Sequence, residues 1–306
     1  MSNNPPKNHH FVPQHFLKTW QSTEGKICRY RFIPNIGKFE AKEVAIRKTG
    51  SINDLYRVQF PDGSFEIESS LVTPEIDEAG HKVIEKIRSE SMFSWSKDEA
   101  RALANYLTCL EARHPDVIDA MNIGPELEKL RKSMKEDGFA SDESVDEVVD
   151  YFQSSPSIGV IAFAYFLQNE KNPLMAQPFS DGLLTANVRE YTFSSDTLIC
   201  SSYPTSRWGD YLSDFLFSIA ISPTKAIVYS TSSDVDVIGA IPENVRSNLI
   251  NLYSLAKADA AYFKDASKSE FIKQHLGWAT KLGGHKAQQE YVGNFIKREL
   301  VQAGYA

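Results

Sequence analysis

The sequence predicts an α+β fold. Two groups of strand-like segments flank a helical block without the regular strand–helix–strand alternation of a parallel sheet. Hairpin signals cluster near the N-terminus, helical periodicity dominates the middle, and apolar β-rich runs return in the last third. The expected plan is N-terminal hairpins, a central helical block, and C-terminal antiparallel strands with closing helices.

Residues 1–8 are polar and proline-containing, and read as a loose leader to an arm over residues 1–12. Pro13 can open a helix at its first position, and Phe16, Leu17 and Trp20 then share a face, which predicts a short helix over Pro13–Thr19. Two strands follow over Lys26–Ile33 and Lys38–Val44, joined by the turn Pro34-Asn35-Ile36-Gly37. Leu55–Phe60 and Phe65–Ile67 repeat the pattern across Pro61-Asp62-Gly63-Ser64, so residues 26–67 read as hairpins. The helical block spans residues 74–170. In Pro74–Ser89, Ile76, Ala79, Val83, Ile84 and Ile87 fall on one face.

Ser96-Lys97-Asp98-Glu99 has the form of a capping box, starting a helix that runs to Arg113. Pro115 should break or restart it, and another helix is expected over Asp116–Glu136. Glu136–Asp150 carries seven acidic residues, as an exposed loop or a polar helix face. A buried helix fits Ile158–Leu167. The final part, residues 189–306, contains strands at Arg189–Ser194, Leu198–Ser201, Phe215–Ile221 and Ala226–Ser230. Helices follow at Glu243–Ala258 and Lys286–Val301. The 306 residues are expected to form a single domain.

Composition is that of an ordinary globular protein, with 42% hydrophobic and 24% charged residues. Cys28, Cys109 and Cys200 are odd in number and widely spaced, fitting neither a disulfide framework nor a zinc site. They read as buried small hydrophobes in a reducing compartment. The longest apolar run, Ile158–Leu167, is too short for a membrane span, so no membrane association is expected and the cytoplasm is the expected location. The net charge of −7 argues against a broad grip on nucleic acid. Residues 1–50 carry nine Lys/Arg against three Glu, however, leaving −13 for the remainder. Such a basic arm could steer an anionic ligand, or its lysines simply solvate strand faces.

The most specific local signal is His9-His10-Phe11-Val12-Pro13-Gln14. Two imidazoles and an amide before a helix start could hold a phosphate or position a proton. Equally, a histidine could cap the helix while Phe11 and Val12 pin the arm. Side chains of neighbouring residues on an extended backbone point apart, so the spacing does not support a divalent metal shared by His9 and His10. Arg113-His114-Pro115-Asp116 offers an anion clamp with a second titrating group, or an arginine favoured by a helix C-terminus. Ser194-Ser195-Asp196 follows a strand, where ligand-binding groups and turns both occur. No nucleophile elbow surrounds Ser195. Glu66 and Glu68 would share a strand face and could supply a carboxylate.

The opening His-His-Phe-Val-Pro-Gln-His-Phe-Leu resembles the hallmark of a mostly bacterial family, domain of unknown function 4238, typically His-His-aromatic-Val-Pro-Gln-aromatic-aromatic-Leu. The resemblance covers most of the chain: a family Arg-x-Pro is matched by Arg113-His114-Pro115, Ser-Asp-Asn-Pro by Ser195-Asp196-Thr197-Leu198, and Leu-Ser-Pro by Ile221-Ser222-Pro223. Asn251 resembles the asparagine opening the last block. Thr197-Leu198 replaces Asn-Pro, and Ala260-Ala261 stands where an arginine is expected nearby. The resemblance implies one large domain that gathers histidines, an arginine and an aspartate from distant segments.

The leading expectation is a hydrolase acting on a phosphate-containing substrate, a nuclease-like phosphodiesterase in a defence or toxin setting. His10 would be the general acid/base and His9 and Gln14 would help orient the substrate. Arg113 would stabilise developing charge, and Asp196 would orient a histidine or hold a metal. Ser195, Glu68 and Asn251 would bind substrate. The alternatives are a module that binds a nucleotide or other anion without turnover, and an interaction protein in which the motif only anchors the arm.

Overall fold

The computed structural model describes residues 7–60, 63–67, 72–73, 76–90, 94–121, 124–138, 140–154, 159–160, 177–210 and 213–305. Helices and antiparallel sheets combine in an α+β fold. No helix among these residues is long and apolar enough to cross a membrane.

The two histidines of the signature lie in a strand. β1 (Asn8–His10) pairs antiparallel with β4 (Ser51–Asn53), with His9 opposite Ile52 and His10 opposite Ser51. Val12 N–H extends the contact to Gly50 O, 3.1 Å away. Pro13 keeps an extended ψ of 140°, so α1 begins one residue later than expected, at Gln14–Leu17, and tightens into a 3-10 turn over Lys18–Trp20. Phe16, Leu17 and Trp20 are all buried, as the apolar face requires.

β2 (Lys26–Ile33) and β3 (Lys38–Ala45) form the expected hairpin, with Gly37 left-handed at φ 58° closing its turn. β5 (Arg57–Phe60) and β6 (Gly63–Glu66) form the second. α2 (Glu78–Ser89) buries Val83, Ile84 and Ile87. α3 (Lys97–Ala112) starts at the expected capping box: Ser96 Oγ accepts from Glu99 N–H, and Glu99 Oε2 accepts from Ser96 N–H.

The helix expected over Asp116–Glu136 is instead two, α4 (Pro115–Ala120) and α5 (Gly124–Glu136). The Gly124-Pro125 pair accounts for the restart, because proline lacks the N–H that a continuous helix would use. Much of the acidic stretch forms α6 (Asp142–Ser154), whose Asp146 and Asp150 turn back to Arg131 of α5. Of the expected Ile158–Leu167 helix, only 159–160 lie within the described residues.

Two four-stranded antiparallel sheets organise the remainder. One has the order β7 (Asn187–Thr192), β11 (Lys225–Ser230), β10 (Phe215–Ser222), β9 (Thr205–Gly209). The other runs β3, β2, β12 (Ala260–Phe263), β8 (Cys200–Ser201), so C-terminal strands extend the N-terminal hairpin. The strand expected over Leu198–Ser201 shortens to β8, and the helix expected over Glu243–Ala258 ends at Ser254. The carbonyls of Asn251, Tyr253 and Leu255 accept the N–H groups of Leu255, Ala256 and Ala258 and close that helix ahead of Ala260 and Ala261, which enter the sheet.

One buried apolar cluster joins Phe16 and Trp20, α2, α3 and both sheets. Trp20 reaches across it, donating its indole N–H to Leu198 O at 2.8 Å. Cys28, Cys109 and Cys200 are free thiols within this core, and burial raises the pKa of each.

Candidate functional site

Alternation along β1 sends the two histidines to different places. His9 is fully buried, stacks on Tyr56 with ring centroids 5.5 Å apart, and accepts the Tyr56 N–H at Nδ1, 2.7 Å away. That bond puts the ring's proton on Nε2. His10 instead lines a cleft of about 380 Å3. Burial, reinforced by the positive charge of Arg113, lowers its pKa.

Arg113 follows the last turn of α3 and is 1% exposed. Its Nε donates to Phe11 O at 3.0 Å, and its own carbonyl accepts from the Tyr56 hydroxyl at 3.0 Å. Nη1 donates to both carboxylate oxygens of Asp77, at the start of α2. The guanidinium therefore stands behind the cleft and holds one of its walls. His114 is packed against Tyr203, with centroids 3.6 Å apart, and caps α4 by accepting the Asp116 N–H. Burial pulls its pKa to about 4.

The cleft lies where the signature meets α2. Gln14, His15 and Lys18 come from the first segment, and Asp77, Glu78 and His81 from the second. The His15 and His81 rings approach to 4.2 Å between centroids, and His15 Nε2 lies 3.3 Å from the Tyr106 hydroxyl on α3. Burial, followed by the charge of His81 and then of Arg113, lowers the His15 pKa to about 3. His81 is also lowered, chiefly by burial. At neutral pH these imidazoles are uncharged, and each offers one ring nitrogen as a hydrogen-bond acceptor.

Close approach of these helices depends on Gly80. A Cβ there would stand 2.3 Å from both Cβ and Cγ of Tyr106. The absence of a side chain lets α2 lie against α3 with His81 beside His15.

Of the residues singled out from the sequence, His10 and Gln14 line the cleft, Arg113 stands behind it through Asp77, and His9 packs away from it on Tyr56. Ser195 and Asp196 do not line it. Ser195 is exposed beyond β7, and Asp196 pairs with Lys264 at 2.6 Å. Asn251 is 1% exposed and holds the turn after them: Oδ1 accepts from Ile199 N–H and Nδ2 donates to Thr197 O. Glu68 lies outside the described residues. Asp77, His15 and His81 were not singled out, although Asp77 and His81, four apart, are a legible same-face pair. Among the described residues, no group of three or more His, Cys, Asp or Glu is arranged to hold a metal ion.

Fold and cleft together define an α+β protein built around an N-terminal histidine strand that is locked to a buried arginine. The chain belongs to the family described as Protein of unknown function (DUF4238), which matches residues 8–267, from β1 to just beyond β12. No curated protein and no solved structure matches it.

Proposed function

We propose that the histidine-lined cleft binds a small phosphate-bearing molecule and hydrolyses a phosphoester bond in it. The observation that carries this reading is the placement of uncharged imidazoles, His10 and His15, in the same cleft as the Lys18 ammonium. Lys18 supplies a point charge and Gln14 an amide donor for phosphoryl oxygens. His10, once its buried Nε2 turns into the cleft, takes a proton from the attacking water as the water oxygen bonds to phosphorus. The same imidazole returns that proton to the leaving oxygen as the ester bond breaks.

A second reading, capture of an anion without turnover, is favoured by one observation. Arg113, the natural stabiliser of developing charge, is already paired with Asp77. Lys18 is then the only Lys or Arg among the described residues that line the cleft.

The deciding experiment compares the purified chain with His10→Gln on RNA, DNA, nucleotides and bis(p-nitrophenyl) phosphate, with and without divalent cations. Hydrolysis by the wild type, reduced about 100-fold or more in His10→Gln at unchanged melting temperature, is expected. A clean wild-type protein that turns over none of these substrates removes the hydrolytic reading, and saturable binding of the same compounds then establishes capture.

A further inference from the structure

We propose a second small-molecule site, for a mononucleotide, in the cavity between β9 and the C-terminal helices. This cavity has a volume of about 390 Å3 and shares no lining residue with the histidine cleft. Its size lies within the ordinary range for ligand pockets, roughly 300–1,000 Å3.

Its wall is the end of an aromatic column. Trp208 stacks on Trp278 with centroids 5.5 Å apart and planes 9° from parallel, and Trp278 stacks on Tyr291 at 4.9 Å and 16°. The middle ring is anchored, since the Trp278 indole N–H donates to Leu252 O at 2.8 Å. Trp208 ends this column in the cavity, with Tyr253 inclined to it by 56°. A nucleobase would continue the stack, as bases do on the aromatic platforms of single-strand-binding proteins.

A second observation points to a ligand. Thr205 lines the cavity and is 6% exposed, yet its hydroxyl has no hydrogen-bond partner. A buried hydroxyl left unpaired is destabilising; this oxygen is shielded from the cavity, and a turn about the Cα–Cβ bond would bring it to a polar edge bound there. Base edges carry both carbonyl acceptors and amine donors, either of which a hydroxyl can meet.

The charges suit a phosphate at the mouth. Glu111 lines the cavity but receives the Arg207 Nε–H at 2.8 Å, which offsets its negative charge. Lys257 is exposed at the rim and available to a phosphoryl group. A neighbouring cavity of about 500 Å3 shares Trp208, Tyr253 and His285, giving room beyond that needed by a base alone.

The test titrates the full chain with AMP, GMP, CMP, UMP, adenosine and inorganic phosphate, followed by calorimetry and tryptophan fluorescence. At least one mononucleotide should bind saturably and change tryptophan emission. Thr205→Val, which removes only an unpaired hydroxyl, should weaken it about fivefold at a melting temperature equal to or above that of the wild type. Trp208→Leu should weaken it further, and Lys257→Ala should reduce affinity for the nucleotide but not for its nucleoside. His10→Gln should leave this binding unchanged, which separates the site from the histidine cleft. Absence of saturable binding at millimolar nucleotide overturns the proposal. So does binding lost in His10→Gln but retained in Thr205→Val, or phosphate binding as tightly as every nucleotide.

Discussion

Arg113 Nη1 lies 3.0 Å from Oδ1 and 3.1 Å from Oδ2 of Asp77, and this pair fastens the histidine strand to the two helices that frame the cleft. The same guanidinium holds Phe11 O, so removing it leaves both a carboxylate and a carbonyl without their donor. Breaking a buried pair from one side typically costs about 3–5 kcal/mol. Arg113→Met should destabilise the fold by that amount in denaturant unfolding. Arg113→Lys should recover only part of it, because one ammonium cannot copy the fork. A stability within about 0.5 kcal/mol of wild type would contradict the fastening role.

His9 should behave as a core residue. His9→Phe keeps an aromatic ring against Tyr56 but removes the Nδ1 acceptor for its N–H. A loss of about 1–3 kcal/mol is expected, the usual consequence of an unmade buried hydrogen bond. His9→Asn, which restores an acceptor, should lose less than His9→Ala in the same unfolding assay. Equal stability of His9→Phe and wild type would show that the bond contributes nothing.

Acid should destabilise the fold through its histidines. His15 has a folded pKa of about 3 and His114 and His275 of about 4, all lowered chiefly by burial. Unfolded histidines titrate near 6.5, so below that pH the unfolded chain binds more protons. The stabilising contribution is complete above about pH 6.5 and is lost as pH falls towards the folded values. One fully depressed histidine contributes a slope of about 1.4 kcal/mol per pH unit in that window. His15→Phe should flatten the decline: it starts below wild type above pH 7, where the contact with the buried Tyr106 hydroxyl is lost, and gains on it between pH 6.5 and 4. Parallel stability curves would exclude His15 as a source.

Gly80→Ala isolates the contact between α2 and α3. Alanine would normally gain about 0.5–1 kcal/mol inside a helix. Here its Cβ meets Tyr106 at 2.3 Å, close to that residue's backbone, where a rotamer change gives no relief. Overpacking of this kind costs about 1–3 kcal/mol, so a net loss is expected in thermal unfolding. The variant should also weaken any ligand of the histidine cleft, because it moves His81 from His15. A gain in stability would mean that the helices separate freely.

Local chemistry made much of the fold legible. Gly37 marks the β2–β3 turn, Ser96 and Glu99 announce α3, and the apolar runs of β10 and β11 are strands whose residues are nearly all buried. β12 was missed because Ala260–Phe263 is buried throughout, so no alternation distinguishes it from the end of a helix. β1 was missed because its pairing with β4 depends on residues some forty positions away. The site was half visible for a related reason. Residue types single out His9 and Arg113, but only packing shows that they face inward. His15 and His81 become neighbours through Gly80, whose importance lies in what α3 brings against it.

The hydrogen bonds around the N-terminal segment impose an order on the chain's assembly. Trp20 is fastened to Leu198, 178 residues away, and the Tyr30 hydroxyl to Asp265 O, 235 residues away. β2 also waits for β12 before gaining its second neighbour. During synthesis on a ribosome, the first hairpin therefore emerges long before the strand that encloses it. Its unsatisfied edge is open meanwhile to other nascent chains, a hazard that long-range β pairing makes inherent. β3 has only exposed or half-exposed positions and two lysines, Lys38 and Lys42, which guard the outer edge but leave the inner one uncovered. Recombinant yield should accordingly depend on translation speed and chaperone supply more than on the stability of the finished molecule.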